Sequence, residues 1–139
     1  MNDNPHTFYH SNIDGDVLAV RIYQENDIII TWSTVKQFQT YNYELLGLDK
    51  SHFACLTGCG DCVDDDYWLS QLTVTQSMRN KGYGSKLIQT LLQILREMFK
   101  YTRLLLQDDS ENRDKPNNIY LNNGFKVLDN VFKTKVIYL

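Results

Sequence analysis

Between Trp68 and Leu95 the chain reads W-L-S-Q-L-T-V-T-Q-S-M-R-N-K-G-Y-G-S-K-L-I-Q-T-L-L-Q-I-L, and no other stretch limits the fold so tightly. It predicts a strand, a glycine-containing turn and a long amphipathic helix. Leu72, Thr73 and Val74 are the apolar and β-branched residues of a buried strand. Gly82 and Gly84 free the backbone in the turn, where a ligand must come close. From Ser85 onward, Leu87, Ile88, Leu91, Leu92, Leu95, Met98 and Phe99 recur at helical spacing, so one face is core. The first amides of such a helix lack intrahelical partners and point outward. They suit an anion, and a phosphate group best of all. Arg79 and Lys81 bring positive charge to the same place.

Two phosphate-binding patterns are excluded. A nucleotide P-loop needs G-K-[ST] after a longer loop, which is absent. A dinucleotide fingerprint needs Gly or Ala at the position of Leu87. What remains is R-x-x-G-x-G at Arg79, Gly82 and Gly84, between a strand and a helix. In that setting it resembles the acyl-coenzyme A loop of the GNAT superfamily of N-acyltransferases. The resemblance implies that Arg79, Asn80, Lys81, Gly82, Tyr83 and Gly84, with Ser85 beside them, hold the coenzyme's pyrophosphate. Further on, Asn112 is followed by Pro116 and then by Tyr120-Leu121-Asn122-Asn123-Gly124-Phe125. Y-x-x-x-G-F after a polar loop and a short helix is similar to a second block of the same superfamily. By that likeness the Tyr120 hydroxyl sits near the coenzyme sulfur and protonates the departing thiolate. A phenol is neutral at pH 7 and can donate, as that step requires. Within this second block the chain departs from the family in two places, and in the N-terminal half it offers one helix where the family typically places two. Arg113 stands where the family usually has asparagine, which leaves Asn112, one residue back, as the candidate contact. Pro116 replaces a small helix former.

Composition narrows the setting. The chain has 139 residues, 42% of them hydrophobic, which predicts one domain over residues 1–139 with a real core. A formal charge of −3 argues against a nucleic-acid binder that relies on a general basic surface. No run is long enough to cross a membrane, and M-N-D-N-P-H lacks the regions of a signal peptide. Three cysteines, an odd number, suit a reducing compartment. The expectation is a soluble, cytoplasmic protein, monomer or homodimer.

Along the chain, residues 1–15 are polar and predict an irregular start. Val17–Tyr23 and Asp27–Trp32 read as strands joined by a turn at Glu25-Asn26-Asp27. A helix is expected from Ser33 or Thr34 to Leu46, ended by Gly47. Strands follow at Ser51–Thr57 and Tyr67–Thr75, connected by a hairpin through Gly60-Asp61 and the acidic run. After the main helix come a buried strand at Thr102–Gln107 and a short helix at Lys115–Asn123, with Pro116 in its first turn. Phe125–Leu128 and Phe132–Leu139 would close the sheet. This order predicts an α/β (α+β) fold with a mixed sheet and packed helices. A right-handed crossover makes Thr102–Gln107 parallel to the Trp68–Thr75 strand. The resemblance adds that the sheet is twisted and mostly antiparallel, with about six to seven strands and a splayed parallel pair.

The chemistry implied by the resemblance is direct transfer from acetyl-CoA to a primary amine on a small molecule or protein, without a metal. Amides near Leu72, Thr73 and Val74 would polarise the thioester carbonyl. The amine must be neutral to attack, which calls for a base or a water relay. Asp66, the last of the Asp64–Asp66 run, is the candidate; Glu44 and His52 are others. A second function class is a module that binds acyl-coenzyme A without turnover. A third reading rests on His52, Cys55, Cys59 and Cys62, whose C-G-D-C pair has zinc-knuckle spacing. Against it, Cys55 and Cys59 suit small buried positions on a strand.

Overall fold

The computed structural model describes residues 6–13, 15–36, 52–61 and 65–139. Among these, eight strands form one sheet: β1 (His6–Ile13), β2 (Asp16–Ile22), β3 (Ile28–Thr34), β4 (Ala54–Gly60), β5 (Asp66–Val74), β6 (Arg103–Gln107), β7 (Lys126–Asp129) and β8 (Thr134–Tyr138). Their spatial order is β1-β2-β3-β4-β5-β6-β8-β7. Only β5 and β6 run parallel. Two helices lie wholly within the described residues, α1 (Tyr83–Met98) and the single turn α2 (Ile119–Asn122).

The β2–β3 hairpin follows its apolar residues. Leu18, Val20 and Ile22, and across from them Trp32, Ile30 and Ile28, are buried. The turn between the strands uses left-handed backbone at Glu25 and Asn26. Helix α1 buries Leu87, Ile88, Leu91, Leu92, Ile94 and Leu95 and packs on β3, β4 and β5. Each of these large side chains contributes about 1.5–3 kcal/mol by leaving water. Met98, expected on that face, falls at the last turn and is 53% exposed; Phe99 still packs against the core.

The feature that shapes the site is how β5 meets its two neighbours. Against β6 it pairs only at Asp66, Tyr67 and Trp68, opposite Arg103, Leu104 and Leu105. Beyond that the strands part. Against β4, Gly58 faces Leu69 but Thr57 faces Gln71, so Ser70 is an extra residue, a β-bulge. Ser70 and Gln71 are accordingly both exposed, where a regular strand would alternate. A bulge bends its strand and increases its twist. Here it turns the end of β5 away from β6 and opens a V. At the closed end, Arg103 grips Asp66 with two hydrogen bonds of 2.9 and 2.8 Å.

Several expectations need correction. His6–Ile13 is not irregular but a strand, paired antiparallel with β2. Ser33 and Thr34 end β3, and helical backbone begins directly after them at Val35 and Lys36, which puts Thr34 at the expected start. Most of the Ser33–Leu46 helix, with Glu44, lies outside the described residues, as do Cys62 and Asp64. The helix expected at Lys115–Asn123 shortens to α2, because Pro116 sits in a turn and Asn118 is the cap. Val131 and Phe132 form the turn between β7 and β8, 81% and 66% exposed. The zinc reading does not match β4. Cys55 and Cys59 lie four residues apart on one strand, about 13 Å, while zinc–sulfur bonds are about 2.3 Å. Among the described residues no three His, Cys, Asp or Glu gather as a metal site. Nor is any helix there long and apolar enough to cross a membrane.

Candidate active site

The opening of the V holds a cleft of about 570 Å³. One wall is Leu72, Thr73 and Val74 on β5. The loop to α1 closes one end with Arg79, Asn80, Gly82, Tyr83, Gly84 and Ser85. Asn112 and Tyr120 line the opposite side. Of the predicted coenzyme contacts, only Lys81 is not among the lining residues; its ammonium lies by the Met78 sulfur.

The loop is built by backbone geometry. A turn of 3-10 helix at Gln76–Met78 follows β5, and Asn80 then takes a left-handed φ of 63°. Gly82 caps α1 with φ 89° and supplies no side-chain cap hydrogen bond. A Cβ at Gly82 would meet nothing within 4 Å, so the space before the helix is open. Arg79 folds back, its Nε donating to the Val74 carbonyl at 2.9 Å, which ties the loop to the β5 wall. Gly84 serves a different need: a Cβ there would stand 2.9 Å from Ile119 Cδ1, so its absence lets α2 approach α1. Tyr83 is wedged edge-on against Trp32 and Phe53, at centroid distances of 5.1 and 4.9 Å, and its hydroxyl donates to Asp16. Its ring thus anchors the start of α1 to the β2–β3 side of the sheet.

Tyr120 lies on α2 with its ring edge-on to Phe125, centroids 5.8 Å apart. Burial, with the negative charge of Asp108 adding to it, pushes its phenol up to about 12. It therefore stays protonated through the neutral range, as a donor should. Asp66 is not brought to the cleft. Six residues of strand separate it from Leu72, about 20 Å. Hydrogen bonding from Arg103, against the opposing effect of burial, holds its carboxyl below the usual range. His52 is buried, 3% exposed, and does not line the cleft either.

Among the lining residues missed from sequence are Asp108 and Asn118. Asn118 accepts from the Tyr120 and Leu121 amides, both at 3.0 Å, and so caps α2. An asparagine two residues before the tyrosine is a readable cap signal. Asp108 had no such signal, because what makes it special is Lys135, 27 residues further on.

Comparison with known proteins agrees with this geometry. A family profile described as an acetyltransferase (GNAT) domain matches residues 49–127, more than half of the chain. The chain belongs to that GNAT acetyltransferase domain family. No protein of curated function matches it in sequence. Among solved structures, it is similar to a PaiA N-acetyltransferase from Thermoplasma acidophilum in complex with coenzyme A, with a TM-score of 0.57 at 14% identity over 81% of this chain and 61% of that one. It is also similar to a GNAT-family acetyltransferase from Staphylococcus aureus Mu50, with a TM-score of 0.59 at 12% identity over 81% and 68% of the two chains. A GNAT-family acetyltransferase from Elizabethkingia anophelis with acetyl-CoA bound gives 0.56 at 13% identity over 81% and 76%. At such identities the likeness is one of fold.

Proposed function

We propose that this chain is a single N-acetyltransferase domain over residues 1–139. It moves an acetyl group from acetyl-CoA directly to a primary amine of a small molecule or protein. One observation carries the reading. A single cleft joins an uncapped glycine loop at one end to a protonated tyrosine at the other. The loop amides and the open space at Gly82 fit a pyrophosphate. The β5 edge beyond Trp68 no longer pairs with β6 and is free to bond the pantetheine and polarise the thioester carbonyl. The amine nitrogen attacks that carbonyl and loses one proton. The C–S bond breaks, and the thiolate takes a proton from Tyr120, which solvent restores.

Asp66 leaves this scheme, since it lies at the closed end of the V. Asp108 is the only carboxylate among the described lining residues. Burial pushes it up, but hydrogen bonds from Lys135, Ser110 and Asn118 outweigh that and hold it at about 2. It is therefore a poor base, and the amine's proton goes to water. The same observation favours, as a second reading, a module that binds acetyl-CoA without turnover.

Thermal unfolding with and without acetyl-CoA tests the shared step. At a hundredfold excess over Kd, binding adds about 2.7 kcal/mol, enough to raise Tm by about 5 °C or more. A rise that ATP does not reproduce supports the site; no rise at saturating ligand would remove it. Release of free thiol with a panel of amines then separates enzyme from module.

A further inference from the structure

A buried ion pair sits behind the helix that carries Tyr120. Asp108, just after β6, and Lys135 on β8 are each 3% exposed, and Lys135 Nζ lies 2.5 Å from Asp108 Oδ2. Two charges are costly to remove from water, and apolar side chains would fill the same space at least as stably. The remaining bonding capacity of the pair is used in one direction. Asn118, 1% exposed, donates through Nδ2 to Asp108 Oδ2 at 2.9 Å. Its Oδ1 accepts the Tyr120 and Leu121 amides. Ser110 donates to Asp108 Oδ1 through N at 3.0 Å and Oγ at 2.5 Å. Lys135 also donates to the Arg113 carbonyl at 2.8 Å, which ties in the loop before α2.

These bonds run unbroken from β8, through the end of β6, to the backbone of Tyr120. Helix α2 has only four residues and cannot hold itself in place. Phe125 N, bonded to the Tyr120 carbonyl at 3.1 Å, fixes one end of its turn. The Asp108–Asn118 link fixes the other, and it does so at the wall of the cleft. We propose that Asp108, Asn118 and Lys135 are positioning residues, a buried bracket that sets how deep the Tyr120 hydroxyl reaches into the cleft. The proposal rests on the reading of Tyr120 as proton donor to the thiolate. Depth matters because a misplacement of about 1 Å can cost on the order of 10²-fold in rate.

The test uses coenzyme A itself, the free thiol, with protein labelled with carbon-13 at tyrosine Cζ. The Tyr120 resonance is the one missing from Tyr120→Phe. In the unaltered protein it should shift as coenzyme A saturates the cleft. Asn118→Ser keeps a capping oxygen but is one bond too short to bring a donor to Asp108, and Lys135→Met removes the cation. In both, the shift should be lost while coenzyme A affinity, measured by calorimetry, is unchanged. With an accepted amine, kcat should fall and KM should not. A role in helix capping alone predicts that Asn118→Ser behaves like the parent. Should Lys135→Met not fold, Asn118→Ser leaves the ion pair intact and decides alone. Parent-like shifts in the variants that fold would overturn the bracket. A Tyr120 resonance indifferent to bound coenzyme A in the unaltered protein would overturn the role of Tyr120, and the bracket's purpose with it.

Discussion

Tyr120 and Gly82 show two ways a single residue enters this site. In the proposed reaction Tyr120 acts through its proton, which burial keeps in place. Tyr120→Phe keeps the ring against Phe125 and removes only the hydroxyl, so turnover should fall about 10²-fold or more with coenzyme A affinity retained. Steady-state rates beside calorimetry check this, and unchanged turnover would take Tyr120 out of the mechanism. Gly82 acts through its backbone. Gly82→Ala meets no steric obstacle, yet a side chain at φ 89° costs about 1–2 kcal/mol. Tm should fall by about 3–6 °C without ligand. A variant as stable as the parent would show that the loop relaxes into another conformation. Both residues were legible in sequence because their neighbours are local: two glycines before a helical stripe, and a tyrosine four residues before a glycine. Asp66 was misplaced for the opposite reason. Its fate is set by Arg103, a partner 37 positions away.

At the scale of elements, strands and helices with their own apolar pattern were readable, and those held by others were not. β3, α1 and β6 each carry enough buried residues to announce themselves. β1 reads H-T-F-Y-H-S-N-I and lacks any such pattern; it is a strand because β2 offers it an edge. α2 is shorter than its sequence suggested because the chain before it is held by side-chain bonds rather than by helical ones. That dependence has a measurable cost. Lys135→Met leaves the Asp108 carboxylate buried without its cation and should destabilise by about 3–5 kcal/mol, whereas the double variant with Asp108→Asn should lose much less. Urea unfolding of both variants decides the matter, and equal losses would mean that the pair is not energetically coupled.

For the whole molecule, the consequence concerns where protons go. No described lining residue is a base near neutrality: Asp108 is held at about 2 and Tyr120 is pushed up to about 12. Between those values neither group changes charge, so the pH dependence belongs to the acceptor. kcat/KM for an amine should rise about tenfold per pH unit until the amine's own pKa is reached. A plateau well below that pKa would reveal a base supplied from elsewhere in the chain. The general outline of this site was visible in the sequence, but its width was not, because no motif contains it. That width comes from Ser70. One strand carries a single residue more than the neighbour it pairs with, and the mismatch is resolved by bending. The binding site is in this sense a counting error preserved in the backbone: remove the surplus residue, and β5 and β6 would have no reason to part.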